Sequence, residues 1–355
     1  MAGRPGLKYD LVKWLACPEC RGGALALQTT KVQRRERFTA VVLAEGGAHE
    51  GGEDARRAVD EVIEGALSCE ACGLVYPIRD GVPRLMPSDA QPGPPTHHRF
   101  TDFDTAVPEW ETNFLDIAAP LVPESFLGKT VLDAGCGFGR HAFFAARYGA
   151  DVVALDSSPD AVESTRRNTA KLANVHVVQG DIYRPPFREG VFDLTYSFGV
   201  LHHLEEPFEA FKVLSRTLKA GGRLSLFVYG PRQGASAAAS NALRGVTAEL
   251  EADKLEMVSR GIARGLRVFS HTPYRLLNGL PIASTVVKHL PVHDHHRWPF
   301  GVVVADVYDR LRVPVRHWFT GETLEGWMAG EGYADVQVSR RVRNNETFRA
   351  TGIRR

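Results

Sequence analysis

Two groups of residues in this 355-residue sequence have types and spacings that could do chemistry. The first is four cysteines in two pairs, Cys17-Pro18-Glu19-Cys20 and Cys69-Glu70-Ala71-Cys72. Two C-x-x-C knuckles can aim four thiolates at one tetrahedral ion, and zinc is the ion that such sets hold. The alternatives are two unrelated pairs or a redox motif. A redox C-x-x-C belongs at a helix start in a strand–helix context, whereas turn and strand signals flank both pairs here. Four thiolates leave no open position, so the zinc expected on Cys17, Cys20, Cys69 and Cys72 is structural.

The second group is a glycine loop with three aspartates. Gly135-Cys136-Gly137-Phe138-Gly139 follows an apolar run and opens a helical one. Loops in that context bind nucleotides at the carboxyl edge of a parallel sheet. The third glycine of the dinucleotide fingerprint is missing, and no P-loop pattern occurs. Asp133 precedes the loop; its carboxylate disfavours a pyrophosphate and favours a cofactor with a sulfonium and an ammonium. Asp156 ends the next apolar run, where a carboxylate can accept ribose hydroxyls. Asp181 ends the one after, where it can accept from an adenine amino group beside Ile182.

These residues need a sheet to position them. From residue 129, strands are expected at 130–134, 151–155, 175–179, 192–197 and 223–229, alternating with helices at 140–148, 159–172 and 207–218. Such alternation predicts an α/β fold, a Rossmann-like doubly wound sheet covered on both faces. Upstream, strands are expected at 25–27 and 37–43, an amphipathic helix at 53–64, and a hairpin turn at Asp80-Gly81. The Pro/Gly run at 91–95 reads as a linker. The expected organisation is a small N-terminal zinc-ribbon domain (1–95) with an insertion between its knuckles, a cofactor-binding core (96–230), a helical insertion acting as a substrate lid (231–318), and a last helix with two closing strands (319–355).

At this point the sequence resembles known families. Val131-Leu132-Asp133-Ala134-Gly135-Cys136-Gly137-Phe138-Gly139 looks like the first motif of class I S-adenosylmethionine-dependent methyltransferases. Asp156, Gly180-Asp181, Leu201-His202-His203-Leu204 and 218–224 resemble its later motifs. The resemblance implies that Asp133, Gly135, Gly137 and Gly139 hold the methionine part, with Ala134 and Ser157 in the same set. Asp156 then holds the ribose, Asp181 and Ile182 the adenine, and Phe198-Gly199-Val200 line the transfer site. Residues 64–69 and 76–83 resemble the small zinc-ribbon activator subunits of tRNA, rRNA and release-factor methyltransferases. More loosely, 317–320, 323–333 and 344–352 resemble the ends of bacterial methyltransferases of the ubiquinone-biosynthesis-like branch.

Methyl transfer from a sulfonium needs alignment above all, and a base where the acceptor has a high pKa. His202 and His203, after the fourth strand of the core, are the first candidates, and His317 is a third. Their alternative is packing or capping. His293-Asp294-His295-His296 reads as a polar loop rather than a metal site, because neighbouring residues on a strand point to opposite faces. Phe100, Phe103 and Trp110 read either as an aromatic cap over the cofactor or as packing on the sheet.

Charge bears on the acceptor. Net charge is −1 over 1–95, −4 over 96–230 and +6 over 231–355. If Arg232, Arg244, Arg275 or Arg316 face inward, the acceptor is anionic; if they face water, the pocket is apolar. The acidic ribbon lacks the basic face of an RNA reader, and no Asn/Asp-Pro-Pro-Tyr/Phe tetrapeptide follows residue 197. Both favour a small-molecule acceptor over an RNA or protein one recognised through the ribbon. A degenerate scaffold conflicts with the intact cofactor motif. No run reaches the ~18–20 apolar residues of a membrane span, and no signal core opens the sequence. Five cysteines do not make a disulfide scaffold. The expectation is a cytoplasmic enzyme with no membrane partner.

Overall fold

The computed structural model describes residues 7–21, 23–38, 56–91, 108–231, 245–247, 250–290, 292, 295–312, 316–341 and 347–355. The N-terminal part is built from β1 (Leu7–Lys8), a one-turn helix α1 (Tyr9–Val12), β2 (Leu25–Phe38), β3 (Arg56–Cys69), β4 (Val75–Arg79) and β5 (Val82–Leu85). β2 and β3 pair antiparallel from Leu25 opposite Cys69 to Phe38 opposite Arg56. That register brings the two knuckles, distant in sequence, to one end of the hairpin. Asp80 and Gly81 both have positive φ, 52° and 80°, the geometry of a tight turn between β4 and β5.

Of the helix expected at 53–64, the described part, 56–64, is a strand; 53–55 lie outside the described residues. β3 is flanked by β2 and β1, so it is a central strand with buried residues on both faces, and the run Glu61-Val62-Ile63 is buried throughout. A strand buried on both sides loses its polar–apolar alternation. Glu61 is tolerated inside because Arg37 of β2 donates to both its carboxylate oxygens, at 2.9 Å from Nε and 2.8 Å from Nη2. Such two-point, charge-assisted pairs are the strong kind. The strand expected at 37–43 is the end of the longer β2 as far as Phe38; 39–43 lie outside the described residues.

The core follows: α2 (Pro108–Ala118), β6 (Thr130–Ala134), α3 (Arg140–Arg147), β7 (Asp151–Asp156), α4 (Pro159–Asn168), β8 (Val175–Gly180), β9 (Phe192–Phe198), α5 (Pro207–Thr217) and β10 (Leu218–Tyr229). The five strands run parallel in the order β8-β7-β6-β9-β10. β10 begins at Leu218, before the expected 223, and its pairing with β9 shifts register between Leu218 and Arg223, across Gly221-Gly222. Helices α6 (Ala252–Leu266), α7 (Thr272–Leu277), α8 (Pro281–Val287) and α9 (Phe300–Arg312) come next, with a π-helical segment, Arg267–His271, joining α6 to α7. Then α10 (Gly321–Gly330), β11 (Tyr333–Arg340) and β12 (Thr347–Arg354) close the chain, β12 antiparallel to β10 and to β11.

The N-terminal part continues the core sheet. β5 pairs parallel with β8, Arg84 opposite Gln179 and Leu85 opposite Gly180, and covers an edge that would otherwise be open. Main-chain bonds from Phe38 to Lys171 (2.9 Å), Ala173 to Phe38 (2.7 Å) and Arg188 to Trp14 (2.9 Å) add to the seam. Lys8 donates to the carbonyls of Ala173 and Val175. One apolar cluster runs from Leu7, Leu67 and Ile78 through Leu132 and Val153 to Phe348. A second places Trp298 and Val303 with Phe227 of β10, so the helices after β10 lie over its carboxyl end. Among the described residues no helix is long and apolar enough to cross a membrane.

Candidate functional site

The sulfurs of Cys17, Cys20, Cys69 and Cys72 lie within 4.8 Å of one another. Cys17 Sγ is 3.7 Å from Cys72 Sγ, and Cys20 Sγ is 3.6 Å from Cys69 Sγ. A tetrahedral zinc with Zn–S bonds of about 2.3 Å requires S···S separations of about 3.8 Å, so the four residues fit the ion. Gly23 makes the closure feasible: a Cβ there would lie 2.2 Å from Cys69 Sγ.

The glycine loop sits where β6 hands over to α3. Gly135, Gly137 and Gly139 all have positive φ, at 85°, 57° and 83°, which glycine adopts without penalty. A Cβ on Gly135 would meet Val200 at 2.4 Å, so that position also needs the space. The loop is fixed from below. Gly135 and Cys136 amides donate to Leu155 O (2.8 and 3.0 Å), Thr165 Oγ1 donates to Gly137 O (2.9 Å), and Asn168 Nδ2 donates to Phe138 O (2.7 Å). Asp156 accepts from the amides of Gly137 (3.0 Å) and Ser158 (2.9 Å), which tie the ends of β6 and β7 together. Burial holds the Asp156 carboxyl up at about 6, because desolvation of the charged form outweighs those two donors. Asp181 is half-buried beside Ile182 and accepts from Tyr183 N at 3.0 Å. Ser157 O accepts from Gln179, and Ala134 O from Ser197 Oγ (both 2.9 Å).

Two members of the expected set sit deeper than expected. Asp133 is only 1% exposed, both carboxylate oxygens lack a hydrogen-bond partner, and burial pushes it up to about 8. The partly exposed carboxylates at this edge are Asp156 and Asp181. Phe198 is also buried, stacked on Tyr196 at 4.6 Å and edge-on to His141 at 5.5 Å.

Beyond the loop, a cavity of about 150 Å³ lies between the strand ends and the helices after β10. Its lining includes Asn113 of α2, Arg140 of α3, Tyr229 of β10, Trp298, Asp306 of α9 and Arg341, with His295 and Arg310 at its wall. Arg310 pairs with Asp306 (2.8 Å), and Arg341 with Asp116 (2.6 Å). Burial disfavours the Asp306 carboxylate, but Arg310, His295 and Arg140 outweigh it and hold it below its usual range. Arg140 has no carboxylate within ion-pairing distance among the described residues. Its guanidinium lies 5.9 Å from the centre of the Trp298 ring, and its Nε is buried without a partner. That distance is within the reach of a cation–π contact. Burial, with Arg341 nearby, brings Arg140 down to about 10, so it is charged at neutral pH. Asn113 is 8% exposed and its Oδ1 also lacks a partner.

The histidines separate. His202 is fully buried, stacked on Tyr229 at 3.9 Å, with both ring nitrogens unpartnered. Burial keeps it well below its usual value, hence neutral. His203 lies 4.1 Å from it, ring to ring. His317 Nε2 instead lies 3.0 Å from Glu205 O, so that nitrogen carries its proton toward a carbonyl. None of the three lines the cavity. His295, expected in a polar loop, is buried and stacks on Trp298 at 3.5 Å; His293 and Asp294 lie outside the described residues. Trp110 packs edge-on behind Phe138 at 6.4 Å, inside the core rather than over a ligand, and Phe100 and Phe103 are outside the described residues. Of the arginines expected inside, Arg316 pairs with Glu205 at the surface (3.2 Å), Arg275 lines a different cleft, and Arg232 and Arg244 are not described. Arg140 was legible by one signal: a cation in the first turn of a helix opposes the helix dipole.

Residues 132–226 match the family described as methyltransferase domain, and residues 8–81 match the Trm112p-like protein family. The chain carries both domains, and their pairing through β5 and β8 makes them neighbours in one sheet. A demethylmenaquinone methyltransferase of Clavibacter sepedonicus is 27% identical over 211 residues, 59% of this chain and 67% of that protein. A ribosomal protein L11 methyltransferase of Cupriavidus pinatubonensis is 38% identical over 117 residues, 32% of this chain and 37% of that protein. Among solved structures, the complex of the Haloferax volcanii Trm112 methyltransferase activator with a methyltransferase aligns over 69% of this chain and 89% of that one, at 15% identity and a TM-score of 0.38. The chain spans 39% and 49% of the length of the first curated relatives it matches.

Proposed function

We propose that this chain transfers the methyl group of S-adenosylmethionine to a small acceptor bearing an anionic group. The methyltransferase domain supports the reaction class, and the unpaired Arg140 guanidinium in the cavity carries the acceptor class. Arg140 feels Asp306 across the cavity but has no carboxylate within ion-pairing distance among the described residues, and a carboxylate or phosphate can take a guanidinium bidentately. Asn113, with its unpartnered Oδ1, can accept from a hydroxyl or amine on the same small molecule. The size of the cavity favours a small acceptor over RNA or protein. Its volume is about 150 Å³, room for a group the size of a single ring.

The residues at the sheet edge fit the cofactor. The positive-φ glycines let it approach the backbone closely, Asp156 faces the ribose hydroxyls, Asp181 and Ile182 the adenine, and Ala134 and Ser157 flank them. Asp133, kept mostly protonated at neutral pH by its burial, contributes as a neutral group beneath the loop. Bound there, S-adenosylmethionine supplies an electrophilic methyl group. The chain's own residues provide alignment, which is the largest gain available to a displacement of this kind. Arg140 and Asn113 orient the acceptor, and Trp298 with the helices after β10 excludes water. A base role does not fall to His202 or His203, which pack behind Tyr229 and do not line the cavity. His317 is dropped from that role because its Nε2 faces Glu205 O. The zinc holds the knuckles together and takes no part in the transfer.

The test is formation of S-adenosylhomocysteine from S-adenosylmethionine with a panel of small aromatic and aliphatic carboxylates and phosphates, each matched with its neutral amide or alcohol. Turnover confined to anionic members is the expected result. Turnover only on neutral members, or only on ribosomal RNA or protein fractions, contradicts the reading.

A further inference from the structure

The helical run from α6 through the π-helical segment to α7 buries several polar side chains and, in its second half, exposes large apolar ones. Its inward positions include Ser259, Ser270 and His271, all buried, with Ser259 Oγ on Leu255 O (2.8 Å) and His271 Nε2 3.0 Å from Val292 O. α6 packs through Leu255, Val258, Ile262 and Leu266 with Val307, Tyr308 and Leu311 of α9, but from Val268 onward the solvent positions carry large apolar side chains. Phe269 is 76% exposed and Leu276, seven residues on, 72%; Met257 and Val268 share the exposed side. α8 adds Ile282 at 86%, with Val286 one turn further. Isolated exposed apolar residues are ordinary, but a contiguous set marks an interaction face.

The charge around this set is one-sided. From Met257 to Ala305 there are six arginines and lysines against a single acidic residue, Asp294. Arg264, Arg275 and Lys288 are exposed and have no ion pair among the described residues. Beside the apolar positions of α7 lies a polar cleft of about 610 Å³, lined by Arg267, Tyr274, Arg275, Asn278, His296 and Arg297. Arg267 is held by the carbonyls of His296 and Trp298, and the exposed Arg275 suits a phosphate group.

We propose that this face docks on the surface of an anionic lipid bilayer, with Phe269, Leu276, Ile282 and Val286 in the acyl boundary and the cleft on a lipid phosphate. Apolar residues flanked by cations are the signature of a helix lying in the interface rather than spanning it, and the potential of anionic lipids attracts those cations. A second copy of this chain fits the face poorly, because it would set two positive rims against each other. A run long enough to span a membrane is a separate signature, and its absence does not bear on docking. Trp298 lines both this cleft and the acceptor cavity, so docking sets the cavity at the lipid surface. The docking proposal does not depend on the methyl-transfer reading.

The experiment is co-sedimentation of the full-length, zinc-loaded protein with phosphatidylcholine vesicles, with and without about one third phosphatidylglycerol. The expected result is sedimentation with the anionic vesicles alone, weakening as salt is raised. A variant carrying Phe269→Ser, Leu276→Ser and Ile282→Ser should lose at least about tenfold in partitioning, since three buried apolar side chains are removed. A melting curve compares its fold with that of the parent. If the triple variant does not fold, Arg275→Ser with Lys288→Ser serves instead, and it should lose the preference for anionic vesicles. Failure of the parent protein to sediment with anionic vesicles overturns the proposal, as does unchanged partitioning in the folded variants. A vesicle-free dimer that the triple variant abolishes also overturns it, by assigning the face to a protein contact.

Discussion

Replacing Arg140 by Gln should separate stability from function. The guanidinium has no ion-pair partner among the described residues, and burial with Arg341 close by already brings its pKa down to about 10. Removing it from the ligand-free protein costs no ion pair, relieves the repulsion from Arg341 and forgoes a longer-range attraction to Asp306, so the melting temperature should change little. Binding of an anion should fall. One charge-assisted contact is worth about 1.5–3 kcal/mol, which at about 1.36 kcal/mol per decade is roughly a ten- to hundred-and-fifty-fold weaker Kd. Benzoate is a suitable probe because a dry cavity of about 150 Å³ accommodates a benzene ring, and this cavity is of that volume. The assay is calorimetric titration of benzoate into the protein saturated with S-adenosylhomocysteine, for parent and Arg140→Gln, with a melting curve for each. Equal benzoate affinity in the two proteins would refute the argument. A loss that appears in S-adenosylhomocysteine affinity instead would assign Arg140 to the cofactor's carboxylate.

Metal analysis should return one zinc per chain, and Cys69→Ser should release it. Because β5 continues the core sheet through β8, that variant should also lower the melting temperature of the core rather than unfold a detached module. The two buried aspartates set a pH dependence. Asp156 and Asp133 titrate at about 6 and about 8 in the folded protein, above the ordinary 3.8. The folded state therefore binds more protons than the unfolded one across this window, so the stability of the ligand-free protein should decline as pH rises from about 4 to about 8. Melting curves across that range check the sign, and a rise in stability would contradict the two assignments.

How far the sequence could be read depends on how local each signal is. The glycine loop, Asp156 and Asp181 each stand at a strand end, and strand ends are marked by short apolar runs, so this edge was legible. The four cysteines were legible as ligands, although the β2–β3 register that joins them was not. β3 was misread because Glu61 and Val62 look amphipathic until Arg37 is known to neutralise Glu61 from the neighbouring strand. Asp133 carries the right residue type at the right spacing, but its burial beneath the loop is a property of packing. The cavity was hardest to foresee. Asn113, Arg140, His295 and Arg341 come from four separate regions of sequence, and nothing local says that they converge. The basic charge of the last third pointed to an anionic guest, yet the arginine left without an ion pair comes from the core.

The central claim is that a methyl donor binds at the glycine-loop edge with Asp156 on its ribose. Calorimetric titration of S-adenosylhomocysteine into the zinc-loaded protein, parent and Asp156→Ala, tests it directly. One site per chain is expected, weakened by roughly ten- to hundred-and-fifty-fold in the variant, the range of a charge-assisted hydrogen bond. Absence of binding to the parent protein, or equal affinity in the variant, would contradict the account.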